Sequence, residues 1–436
     1  MLLIRKARVL IGKFWRRVNI LVNESGKIVK LLRSEKVNQY LLHKVDAIYN
    51  AKENFAFPGI IDMHVHFREP GYEYKEDFSS GSKAAIAGGV TIVADMPNNK
   101  PRIKSFDEFI AKLKRVKEKS YVDFLLYVEI PENLAELDRF ADNDIFPAGV
   151  KVYFYLEDEA NRFMSSDLPS RFLYVVHAED NEFILDPKDC ETYSAFEASR
   201  PREAEKSAVI KAIQVAKKGI RVHITHVSTL DALMEINKAK KMGLPVTADV
   251  TIHHLFFTKK DGERLKSIAK CLPPLRDELD RKSLLKGILQ GIIDAIISDH
   301  APHAPDEKKL DLCKAPPGIA SIQYFLPLVF TLWKKLHITN FRQLIKVVSE
   351  NPARILGLKN RGKIRVGYYG DIVVFDPKKR WKILGEDGFS KAKLTPWEGM
   401  RVTGWVKATF LRGRLVYEDG EFIEKIGKFI SQKIEE

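Results

Sequence analysis

Eight short apolar runs pace the middle of this chain, and few folds accommodate that rhythm. They cover residues 57–67, 90–96, 122–128, 150–154, 172–177, 221–227, 246–251 and 292–299. Each is apolar nearly throughout, as expected of a strand buried on both faces. Segments with 3.6-residue periodicity separate most of them, for example 106–119, 204–218 and 230–241. Eight parallel strands alternating with helices make an α/β protein, a (β/α)8 barrel. The crossover over 155–171 is short, and a turn is expected there in place of a helix.

The two ends of the chain follow a different pattern. Residues 1–55 alternate apolar and polar positions, with turn signals at Asn23, Glu24, Ser25 and Gly26. Strand-and-turn character returns after residue 358, with Gly362, Gly367, Gly370 and Gly413 between apolar stretches. The expected division is therefore a catalytic barrel at 56–357 and one small β-sandwich built from 1–55 and 358–436. A chain of 436 residues is long enough for both.

No apolar run approaches the roughly 18–20 residues that span a membrane. The opening residues read as a strand rather than a signal peptide, so a cytoplasmic location is expected. Cys190, Cys271 and Cys313 lie far apart, without the spacing of a disulfide framework or a thiolate zinc site, and are expected to serve packing. The net charge is +14, yet basic and acidic residues are interleaved, which argues against a nucleic-acid partner. A positive field also steers a small anionic substrate.

The active site of such a barrel lies at the C-terminal strand ends, and six titratable residues fall there. His64 and His66 close the first run two residues apart, a spacing that puts both imidazoles on one side of a strand. Lys151, His177, His226 and Asp299 end later runs. His223 competes with His226 but lies three residues earlier, on the opposite side of its strand; His226 is nearer the mouth. Imidazole and carboxylate donors without thiolate favour Zn2+, with Mn2+, Co2+ and Fe2+ open. A pair of ions needs a bridging anion. An ammonium cannot serve, but a lysine carboxylated by CO2 can offer one oxygen to each ion, and Lys151 is placed for that. Two ions bridged by water lower its pKa from about 15.7 towards ~7. Asp299 would then be both ligand and acceptor of the nucleophile's proton.

The chain resembles the dihydroorotases of the amidohydrolase superfamily over residues 57–410. The runs that carry the likeness are PGIIDMHVHFREPG, DMPN, GVKVYF, VVHAED, RPREAE, VHITHVST, VTADVTIHHL, PPLRD, SDHAPH, NPARILGL and TPWEG. The resemblance implies reversible cyclisation of N-carbamoyl-L-aspartate to L-dihydroorotate in pyrimidine biosynthesis. It also implies two Zn2+ per subunit bridged by N6-carboxylated Lys151. His64, His66, Lys151 and Asp299 would hold one ion, and Lys151, His177 and His226 the other. Arg68, Asn98 and His303 match groups that hold the substrate carboxylate, a task suited to a guanidinium. Allantoinases and hydantoinases share the metal residues, but their substrates lack that carboxylate. The chain departs from the pattern at Leu272 and Leu394, where many relatives carry Asn, and the stretch 317–323 is looser than usual. A catalytically dead scaffold is disfavoured because all six ligands are kept. Homodimer formation and association with aspartate transcarbamoylase are left open, and residues 305–317 are a candidate lid.

Overall fold

The computed structural model describes residues 1–33, 42–165, 167–185 and 191–431. Both ends of the chain enter one sheet. Its N-terminal strands are β1 (Leu2–Ile11), β2 (Phe14–Val22), β3 (Ile28–Leu32), β4 (Ala47–Asn50) and β5 (Phe55–Pro58). The barrel strands follow: β6 (Ile60–Val65), β7 (Val90–Asp95), β8 (Asp123–Leu126), β9 (Val128–Glu129) and β10 (Val150–Tyr153). They continue with β11 (Leu173–His177), β12 (Arg221–Thr225), β13 (Val246–Thr251) and β14 (Ala295–Ile297). The sheet is completed by β15 (Ile372–Lys382), β16 (Arg401–Leu411), β17 (Arg414–Glu418) and β18 (Glu421–Phe422).

The terminal sheet runs β18-β17-β16-β15-β5-β1-β2-β3, with β4 parallel to β1. The two-residue period of a strand separates its faces. Ala56, Ile372 and Val374 join Ile4, Ile20 and Phe410 in a core of the sheet's own. Their neighbours Phe57, Val373 and Phe375 pack toward the barrel instead.

All barrel neighbours pair in parallel, and β8 and β9 are two parts of one strand interrupted at Tyr127. A parallel bridge between Val65 and His300 joins the first strand to the chain beyond the last, where the His66 amide donates to the His300 carbonyl at 2.8 Å. Inward residues such as Ile61, Ile92, Ala94, Tyr127, Val175 and Ile297 fill the barrel. Alternate residues such as Val93, Val152, Val176 and Ile296 face the helices. The mouth is left to the polar residues at the strand ends.

Several expectations are corrected. The run 57–67 divides at Gly59: β5 belongs to the terminal sheet, paired antiparallel with β15, and only β6 belongs to the barrel. Thr91 crowds that junction, since a Cβ on Gly59 would lie 2.1 Å from its Oγ1. The crossover 155–171 holds a nine-residue helix, Glu157–Ser165, whose Glu159 reaches back to accept from the Tyr153 amide at 3.0 Å. Cys313 is disulfide-bonded rather than a packing residue, Cys271 is a buried free thiol, and Cys190 lies outside the described residues. In the segment 305–317, Lys308 is buried with Nζ on the Gly318 carbonyl at 2.9 Å, and Lys270 Nζ donates to the Leu312 and Ala315 carbonyls at 2.6 and 2.8 Å, contacts that a lid would have to break to open. Among the described residues, no helix is long and apolar enough to cross a membrane.

Candidate metal centre

His64, His66, His177, His226 and Asp299, at or just past the ends of their strands, and Lys151, the second residue of β10, line one cleft of about 120 Å3. The β6 register shifts between Asp62 and Val65, so that Val65 packs among the helices while His64 and His66 face the cleft. On β10, Val150 and Val152 pack outward, which turns Lys151 inward. His177 is the last residue of β11. His226 and Asp299 lie just past β12 and β14 with φ of +46° and +43°. Left-handed backbone at residues other than glycine costs on the order of 1–3 kcal/mol, and such strain gathers at functional sites. Here it belongs to two residues whose side chains meet the cleft.

Asp299 Oδ1 is shared, 3.2 Å from His66 Nε2 and 3.4 Å from His64 Nε2. The His64 and His226 ring centres are 5.4 Å apart, and those of His177 and His226 are 4.5 Å apart. Burial holds the pKa of His64, His177 and His226 below the ordinary imidazole value, so their lone pairs are available near neutral pH. Burial also draws the Lys151 amine down to about 7. Among the described residues, its Nζ has no hydrogen-bond partner, and neither has His226 Nδ1. Buried polar atoms are rarely left unpaired. Neutral imidazoles, one carboxylate and an orphaned amine in one cleft make a donor set that fits borderline divalent cations. The donor atoms of His64, His66 and Asp299 lie within 4.8 Å of one another, close enough for a single ion.

Hydrogen bonds behind the imidazoles fix their orientation, and sequence reasoning assigned none of them. His64 Nδ1 meets Thr225 Oγ1 at 2.7 Å, and Thr225 donates to Asp249 at 3.1 Å. Asp249 also accepts from the His226 amide at 2.5 Å and pairs with His223 Nε2 at 2.8 Å. His223 is thereby engaged behind the cleft. His177 Nε2 meets Glu179 Oε2 at 2.7 Å, and Arg200 closes on the same carboxylate at 2.8 Å. Burial alone would raise the Glu179 pKa, but Arg200 and His177 hold it down to about 2. One signal was present in the sequence: His-X-Thr at 223–225 and Thr-X-Asp at 247–249 put polar residues two apart on adjacent strands, with His223 opposite Thr247.

The three residues matched to the substrate carboxylate are placed differently from one another. Asn98 lines the cleft, but its Oδ1 is engaged by His66 Nδ1 at 2.7 Å. Arg68, with φ of +62°, also lines the cleft. Its Nε donates to the Pro302 carbonyl at 3.1 Å, and its Nη2 lies 3.0 Å from His303 Nε2, which also meets the Pro317 carbonyl at 2.9 Å. His303 stands behind Arg68, with Lys75 Nζ 3.1 Å from its Nδ1. Burial and these two cations hold His303 neutral. Leu272 lines the cleft as well, beside Tyr153 and Tyr155.

The amidohydrolase family profile matches residues 55–416. A dihydroorotase from Methanosarcina acetivorans is 34% identical, with 99% of this chain and 97% of that protein aligned. A dihydroorotase from Bacillus subtilis is 34% identical over 87% of this chain and 91% of its own length. Among solved structures, the L-hydantoinase (dihydropyrimidinase) of Arthrobacter aurescens superposes with a TM-score of 0.90 and 26% identity, covering 99% of each chain. A D-hydantoinase from Thermus sp., 22% identical with a TM-score of 0.87 over 100% of this chain and 99% of its own, shares the fold.

Proposed function

The chain belongs to the amidohydrolase family, and within it we propose that it catalyses the dihydroorotase reaction, the reversible closure of N-carbamoyl-L-aspartate to L-dihydroorotate in pyrimidine biosynthesis. It is a metal-dependent cyclic amide hydrolase with a binuclear centre. The observation that carries the choice of substrate is Arg68, whose guanidinium lines the same small cleft as the histidines and Asp299. Its Nε is held by the Pro302 carbonyl and its Nη2 lies against His303, which fixes the plane of the fork and leaves Nη1 to meet an anion. A ring without a carboxylate would leave that buried cation unanswered.

The residues fit two zinc ions, with His64, His66, Lys151 and Asp299 holding one and Lys151, His177 and His226 the other. Lys151 would supply the anion shared between them once its amine is carboxylated. When bound, such a pair makes water nucleophilic at neutral pH and polarises the substrate carbonyl. Asp299 accepts the proton of the attacking water and passes it to the departing ring nitrogen. A positioned acid–base group of this kind contributes about 10²–10⁴ in rate. Arg68 holds the ring by its carboxylate, and Asn98, its Oδ1 engaged by His66, keeps Nδ2 for the same substrate. Ring closure consumes a proton, so acid favours the ring and alkali the open form.

Ring opening of L-dihydroorotate by zinc-loaded protein tests the reading, with hydantoin and allantoin in parallel. Preferential turnover of dihydroorotate is the expected result. Turnover of the uncharged rings alone would overturn the substrate assignment, leave the metal centre standing, and direct attention to Leu272.

A further inference from the structure

A second cluster of metal-binding side chains lies buried outside the residues assigned above. His253 and His254 belong to the short helix Ile252–Phe256 that follows β13, and Cys271 lies on the loop leading to Arg276. One donor atom from each lies within 4.8 Å of the others. Donors around one tetrahedral zinc with thiolate and imidazole ligands stand roughly 3.5 Å apart, so a small inward movement would bring these three onto one ion and leave its fourth position open.

His253 is 1% exposed, and neither of its ring nitrogens has a hydrogen-bond partner among the described residues. At least one of those nitrogens carries an N–H, and leaving both unmet is costly in the interior. His254 is already oriented: its Nδ1 lies 2.7 Å from Thr251 Oγ1, while Nε2 has only a 3.3 Å contact with the Pro274 carbonyl. The Cys271 Sγ contacts the Pro273 carbonyl at 3.3 Å and is a free thiol. Two imidazoles and one thiol, one imidazole orphaned and one oriented by a hydroxyl, match the pattern of a soft-donor cation site with its outer support in place.

We propose that His253, His254 and Cys271 bind a thiophilic divalent cation of the zinc type, separate from the ions of the cleft. Binding displaces the thiol proton and forms a metal–thiolate bond, with no change of oxidation state. The next residue, Leu272, lines the substrate cleft. The ion therefore clips the loop carrying Leu272 to the helix after β13, fixing one wall of the cleft.

Cobalt(II) loading of the full chain tests this directly, because the ligands assigned in the cleft include no thiolate. The expected result is a thiolate-to-cobalt charge-transfer band in the near ultraviolet, lost in Cys271→Ser together with one equivalent of bound metal. His253→Gln, which retains the thiol, should weaken the titration of that band at least tenfold. Absence of the band in the saturated wild type, or its survival in Cys271→Ser, would overturn the proposal. Either outcome is independent of which ring the protein opens.

Discussion

Glu179 holds Nε2 of His177 at 2.7 Å, which leaves Nδ1 as the nitrogen of that ring with a lone pair for a metal. Arg200 donates to the same carboxylate oxygen at 2.8 Å. Outer partners of this kind are typically worth 10–100-fold in metal affinity. Glu179→Gln should therefore weaken zinc by about that factor, measured by competition with a chelator, without loss of fold. Unchanged affinity would show that the ring needs no such support.

The same carboxylate sets an acid limit. Its folded pKa, about 2, lies below the ordinary 4.5. A depressed carboxylate contributes stability that is full above about pH 4.5 and is lost as pH falls towards 2. The difference corresponds to roughly 3 kcal/mol. The gap in denaturation midpoint between wild type and Glu179→Gln should narrow over that window, measured on metal-free protein. A gap constant with pH would contradict the assignment.

Lys151 has to be neutral to capture CO2. With an amine near 7, the reactive fraction rises between pH 6 and 8. Reconstitution of stripped protein with zinc and bicarbonate should accelerate across that range. Lys151→Ala should be inactive, with partial rescue by a short carboxylic acid. Full activity in the unrescued variant would remove the carbamate from the account.

The barrel and the cleft were legible because their signals are local. Strands buried on both faces read as unbroken apolar runs; His64, His66, His177, His226 and Asp299 lie at or near the end of one, while Lys151 is the second residue of β10. The supporting layer was less legible, since Thr225 and Asp249 acquire meaning only when strand register sets β12 beside β13. The roles of Lys270 and Lys308 were not legible either: their amines satisfy backbone carbonyls in a buried loop that the chain forms only on folding. The helix Glu157–Ser165 was missed because it is short, with buried Glu159 and Phe163 forming its inner face.

Leu272 offers the cleft no side-chain donor. Leu272→Asn should lower KM for dihydroorotate by about 3–10-fold, the worth of one added hydrogen bond, with metal content unchanged. A raised KM would mean that the cleft uses the apolar wall.

The central claim is that Arg68 selects the substrate by its carboxylate. Its most direct test compares kcat/KM for L-dihydroorotate and for dihydrouracil, the same ring without the carboxylate, in wild type and Arg68→Ala. A charge-assisted hydrogen bond from Nη1 should be worth at least ~10-fold. Wild type is expected to prefer dihydroorotate by that margin, and the variant to lose the preference through dihydroorotate alone, with zinc retained. An unchanged ratio, or a wild-type preference for the uncharged ring, would contradict the account.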